Sequence, residues 1–238
     1  MKQLLIFFSL FAILGVYGQE NQTDFVFRQA TTKKGSPAGS LTENRIDKNG
    51  GTLGSDDGKL ELIVPAGAVN KKTRFSIQPV TNEAPNGSGK AYQLEPSGTK
   101  FSKPLRLVFR YDSKEYKDEM QSLMGIAMQD SKGRWFRLTK FILDTAAKTI
   151  SADINHFSSY GRFDAVKLDP LSARVKVNKQ LKLTIRYLDT DDDIPISEDG
   201  DLLVPLTPSK EIKSSTTAIW AVNGIENGNA EVGQISGA

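Results

Sequence analysis

An all-β fold, built as two consecutive β-sandwiches, is what this 238-residue sequence predicts. Three observations carry the expectation. Short apolar or alternating runs recur along the chain, each closed by glycine, proline, asparagine or aspartate. Helical spacing occurs only at Tyr116, Met120 and Leu123 (i, i+4 and i+7), enough for two turns at most. The sequence contains no cysteine, so no disulfide framework holds it and buried apolar surface has to supply the stability. Domains of about 140 residues bury enough for that.

The first residues have a different character. Met1-Lys2 is a short positive start, Leu4–Val16 is an almost unbroken apolar run, and Val16-Tyr17-Gly18 places small residues where a signal peptidase reads. A bilayer-spanning helix needs about twenty apolar residues. This run is shorter, and no second one of its length follows, so Met1–Gly18 is expected to be a secretory signal with no membrane span left after its removal. Gln19–Lys48 is polar, includes Lys33-Lys34-Gly35-Ser36-Pro37, and keeps no period of two or 3.6, which predicts a flexible linker. Only Phe25-Val26-Phe27 has strand character there.

From Gly50 onward the strands follow one another. Lys59–Val64 ends at Pro65, and Arg74–Val80 sets Phe75 and Ile77 on one face. Leu105, Leu107, Phe109 and Tyr111 alternate with Arg106, Val108 and Arg110, the pattern of a strand with one buried face. Met124–Met128, Trp135–Leu138, Phe141–Leu143 and Thr149–Ile154 complete the set, with a hairpin expected across Asp144–Lys148. Seven or eight short strands at this spacing predict a sandwich or barrel over residues 49–162.

A second unit, 163–238, is expected from a change in charge. Gln19–Arg162 carries 22 basic and 16 acidic residues, whereas Phe163–Ala238 carries 8 and 12. Its strands are read at Leu181–Tyr187, Leu202–Leu206 and Ile219–Gly224. Strand-like sequence is still running at Ala238, so this unit is expected to be incomplete.

Three stretches of the first unit together resemble the ZU-5 domain, the module shared by zonula occludens proteins, netrin receptors and ankyrins. They are Gly50–Leu53 through Asp57–Val69, then Tyr92–Gly98 with Phe101 and Pro104, then His156-Phe157-Ser158-Ser159-Tyr160. Beyond Leu168-Asp169-Pro170, the segment Trp220–Ile225 with Gly228–Ala230 and Gly233–Ile235 is similar to bacterial Ig-like repeats. The resemblance implies an all-β chain in which a ZU-5-like sandwich precedes an Ig-like one, in an exported bacterial protein that is secreted, periplasmic or held at the cell surface. It implies a structural or interaction role with an unknown protein or glycan as partner.

The resemblance also singles out one tripeptide. Some ZU-5 domains cleave their own backbone at His-Phe-Ser, and the single histidine of this chain stands in His156-Phe157-Ser158. In that chemistry Ser158 Oγ attacks the carbonyl carbon of Phe157, His156 takes the hydroxyl proton, and water hydrolyses the resulting ester. The other reading makes His156 a strand residue satisfied by neighbouring backbone, Phe157 a core side chain, and Tyr160 a packing residue with a wet hydroxyl. Neither Asp153 nor Asp164 is marked by the sequence as an orienting partner for the histidine rather than a surface carboxylate.

The remaining signals mostly exclude. Without cysteine and with one histidine, neither a thiol nucleophile nor a structural zinc site is expected, and no cofactor or metal is called for. Nucleic acid is not an expected partner, because no basic cluster is interleaved with aromatics. Asp189, Asp191, Asp192 and Asp193, with Glu198, Asp199 and Asp201 downstream, form an acidic run whose oxygens suit calcium, but the spacing fits no EF-hand loop and is better described as a solvated charged loop. Carbohydrate binding through the sandwich loops stays open beside it. Asn21-Gln22-Thr23 and Asn86-Gly87-Ser88 fit the glycan-acceptor pattern.

Overall fold

The computed structural model describes residues 29–112, 118–170, 173–174, 176, 179–189, 196–198, 201–212, 221–231 and 233–234. The signal segment, Phe25-Val26-Phe27, Tyr116, Asp191–Asp193, Asp199 and Trp220 lie outside them.

The strands of the first half are β1 (Thr42–Ile46), β2 (Gly51–Gly54), β3 (Leu60–Val64), β4 (Thr73–Val80), β5 (Gly87–Glu95) and β6 (Lys100–Arg110). After a 3-10 turn at Asp118–Leu123 come β7 (Met124–Gln129), β8 (Trp135–Leu138), β9 (Ile142–Asp144), β10 (Thr149–His156) and β11 (Ser159–Asp164). Downstream lie β12 (Val166–Asp169), β13 (Thr184–Tyr187), β14 (Ile196–Glu198), β15 (Asp201–Pro205) and β16 (Lys210–Glu211), then four two-residue strands within Ala221–Gln234. Among the described residues there is no α-helix, so the helical spacing at 116–123 yields only the 3-10 turn.

Two antiparallel sheets form the body of the sandwich. The larger runs β1-β4-β5-β11-β7-β8-β15-β14 and the smaller β2-β3-β6-β10-β9. Alternation decides which side chains go between them. On β6, Leu105, Leu107 and Phe109 are fully buried while Arg106 and Arg110 point to water. On β10, Ile150, Ala152 and Ile154 turn inward, and Ser151, Asp153 and Asn155 lie on the other side. Phe75, Ile77, Tyr92, Leu94, Ile126, Met128 and Tyr160 meet them from the larger sheet in one continuous core. The all-β sandwich expected from the sequence is therefore the fold. The predicted hairpin is present as well, with Thr149 opposite Asp144 and Lys148 in the left-handed region at φ 55°. Pro65 follows β3, and Gly67 takes φ 79° in the turn behind it, a conformation that favours glycine.

Other expectations are corrected. Residues 29–48 are not a free linker: β1 pairs with β4 throughout its length, and isolated bridges join Thr31 to Arg134 and Pro37 to Val80. Polar sequence concealed this because β1 is an edge strand that buries little beyond Ile46. The expected boundary between 162 and 163 falls inside β11, and β15 hydrogen-bonds to β8, so the downstream segment lends two strands to the larger sheet. A second small core confirms the join, with Ala30, Trp135 and Phe163 packing against Leu188 and Leu206. The amphipathic strand read at Leu181–Tyr187 is shorter, half-buried throughout, and pairs with β12 and β16. The Asn86 acceptor site is buried, and its amide donates to the Arg186 carbonyl at 3.3 Å.

One close approach fixes the centre of the larger sheet. A Cβ on Gly125 of β7 would lie 2.4 Å from Cζ of Phe163 on β11, opposite it in the ladder. Gly125→Ala is expected to lower stability by about 1–3 kcal/mol through overpacking, read as a lower urea midpoint with an unchanged denaturant slope.

Candidate functional site

His156-Phe157-Ser158 is the passage between the sheets. β10 belongs to the smaller sheet through β6 and β9, while β11 belongs to the larger one through β5 and β7. The register of β10 slips between Ile154 and His156, so the strand bends as it leaves its sheet. Phe157 drops into the core at this point. Its ring meets Phe101 at 4.7 Å and Phe75 at 5.1 Å, both edge-to-face.

The backbone around Phe157 is held on every side. Its carbonyl accepts from the Gly98 amide at 3.2 Å, and the Ser158 carbonyl accepts from Leu94 at 3.0 Å. The Tyr160 hydroxyl donates to the His156 carbonyl at 2.9 Å. Tyr160 is fully buried, so its hydroxyl is not wet. Burial first, and the Asp201 charge second, push that hydroxyl well above its ordinary range and keep it a donor.

The two polar side chains of the tripeptide face different partners. His156 and Asp201 are 8 % and 7 % exposed, with His156 Nδ1 3.1 Å from Asp201 Oδ2. The approach is close enough for an ion pair but off the direction a hydrogen bond requires. Asn155 Nδ2 donates to the other oxygen, Oδ1, at 2.8 Å. Ser158 Oγ donates to the Gln129 carbonyl on β7. No hydrogen bond among the described residues links His156 to Ser158.

Asp201 is the residue that the sequence misassigned. Grouped with the acidic run, it opens β15 instead and is carried to His156 because β15 pairs with β8. Asp153, on the outward side of β10, is gripped by Arg106 through two hydrogen bonds at 2.8 and 3.1 Å. Asp164 is buried and accepts from Ser88 Oγ at 3.4 Å. Asp189 pairs with Lys210. Among the described residues no three His, Asp or Glu side chains converge as metal ligands.

The three stretches singled out in the sequence converge here. Tyr92 of the second donates its hydroxyl to Asp57 of the first, at 3.1 and 3.2 Å, and stands opposite Tyr160 of the third. Gly98 and Phe101 of the second hold and cover Phe157. No family model matches the chain, and no curated protein matches its sequence.

Asp57 gives this cluster a pH signature. Burial alone would raise its carboxyl, but hydrogen bonds from Ser55, the Lys59 amide, Lys90 and Tyr92 outweigh it and hold the group below its ordinary 3.8. A depressed carboxyl stabilises the fold above the unfolded-state value, and that contribution is lost as pH falls through the folded-state value. Asp57→Asn should therefore flatten the loss of stability below about pH 4, measured by thermal unfolding across a pH series, and an unchanged acid limb would refute the assignment.

Proposed function

We propose that this protein is a non-catalytic structural or interaction module of an exported bacterial protein, built on a ZU-5-like sandwich and working in the periplasm, at the cell surface or outside the cell. The observation that supports this reading best is the commitment of the tripeptide's side chains. Ser158 is spent on the Gln129 carbonyl and His156 faces Asp201, so the pair ties strands together rather than forming a nucleophile and its base. The ZU-5 reading draws further support from the convergence of its three motif stretches on one packed cluster.

One feature favours a second reading, self-cleavage between Phe157 and Ser158. The bond lies at the passage between sheets, so either product would keep its own ladder: β10 on β6 and β9, β11 on β5 and β7. The chemistry needs Ser158 to leave Gln129 and its proton to pass to His156 as Oγ bonds to the Phe157 carbonyl carbon. The C–N bond then breaks, the amine takes the proton, and water splits the ester.

A denaturing gel of the purified full chain, with N-terminal sequencing, separates the two. The module reading expects no product beginning at Ser158 after prolonged incubation. Two fragments, one starting at Ser158 and both abolished by Ser158→Ala, would establish self-processing instead.

A further inference from the structure

We propose that the cleft beside the His156–Asp201 pair binds a neutral glycan, a chain of pyranose units without net charge. The cleft has a volume of about 480 Å³ and forms where the outward side of β10 meets Arg106 of β6, the connection from β8 to β9, and the start of β15. That volume lies within the range of about 300–1,000 Å³ usual for small-molecule sites.

Its polar groups are paired with one another before any ligand arrives. Arg106 and Asp153 form a two-point pair, and Asn155 steadies Asp201. Asp153, the exposed carboxylate, keeps acceptor capacity beyond its two bonds from Arg106, since a carboxylate offers about four acceptor sites. Ser151 and Thr139 add hydroxyls to the lining, that of Thr139 already donating to the Leu202 carbonyl at 2.9 Å. A sugar hydroxyl both donates and accepts, so it can join such pairs without breaking them. Preorganised pairs lose little freedom on binding, which is where affinity is otherwise spent.

An apolar surface accompanies the polar one. Phe141, Ile142 and Leu202 line the cleft while 38 %, 57 % and 42 % exposed. The C–H face of a pyranose is apolar, and laying it on an aromatic ring removes both surfaces from water.

The charge pattern selects against other ligand classes. Arg106 and Lys140 balance Asp153 and Asp201 in the lining, so the cleft offers no excess field for an anionic chain. The absence of a third converging ligand among the described residues argues against a metal ion. β9, the sheet edge beside the cleft, is three residues long and gives an added peptide strand little to pair with.

The test is titration of the ¹⁵N-labelled full chain with neutral oligosaccharides of β-1,4-glucan, β-1,3-glucan and β-1,4-mannan, followed by NMR. A polysulfated oligosaccharide and an extended apolar peptide serve as contrasts. At least one neutral series should give saturable shifts centred on Thr139–Ile142, Ser151–Asn155 and Leu202. Phe141→Ala and, separately, the isosteric Asp153→Asn should each weaken that binding by about tenfold or more at an unchanged unfolding midpoint, while Leu41→Ala, elsewhere on the surface, leaves it intact. Binding by none of the neutral sugars, binding only of the sulfated chain or the peptide, or binding indifferent to both cleft substitutions would overturn the proposal.

Discussion

Between β10 and β11 the backbone leaves one sheet for the other, and Phe157 is the side chain placed in the core at the crossing. Stacked sheets sit about 10 Å apart, so a chain passing between them must bury backbone polar groups at the step or find partners for them. Here the carbonyls of three successive residues are satisfied, by Tyr160, Gly98 and Leu94. Rings from β4 and β6 close around the phenylalanine. The placement of β11 between β5 and β7, and with it the order of the larger sheet, follows from where this crossing is anchored.

The same crossing explains why the histidine's neighbourhood comes from so far along the chain. His156 continues the inward alternation of Ile150, Ala152 and Ile154, and beside it lies the first residue of a strand from the downstream segment. Asn155 reaches the same carboxylate. The cleft arises as the outer side of this join, so both sheets contribute to its lining. A change that loosens β15 from β8 would alter the histidine's surroundings and the cleft together.

Much of the fold was legible because it obeys period two. β6 shows it most plainly: leucine, leucine and phenylalanine inward, arginines outward. β7 could be read as a run apolar throughout because it lies between β11 and β8 and is buried on both faces. β1 was illegible for the opposite reason. As an edge strand it buries Ile46 and leaves three exposed residues, which resembles a linker. Of the site, the tripeptide was visible from its uniqueness, and the partner of its histidine was not. Asp201 sits in an acidic run, and no local pattern shows that β15 will pair with a strand more than sixty residues earlier. Register between distant strands is set by tertiary packing, which a single sequence expresses only diffusely.

The way the start of the described chain meets the segment after β15 has a consequence for its biogenesis. The amide of Ala30 donates to the carbonyl of Leu206 at 2.7 Å, and the Trp135 indole donates to Thr32 at 2.8 Å. Residues 30–32 can therefore dock on Gly133–Trp135 first, but the Ala30 amide finds its partner only once Leu206 has been made. Until β15 arrives, β8 has a naked backbone edge, the kind of surface that recruits other strands. Contacts so distant in sequence form slowly because the loop they close carries a large entropic cost. A polypeptide emerging from its N-terminus would pass through a nearly finished sandwich with one open seam, and its yield of native protein would depend on how long that seam is shielded.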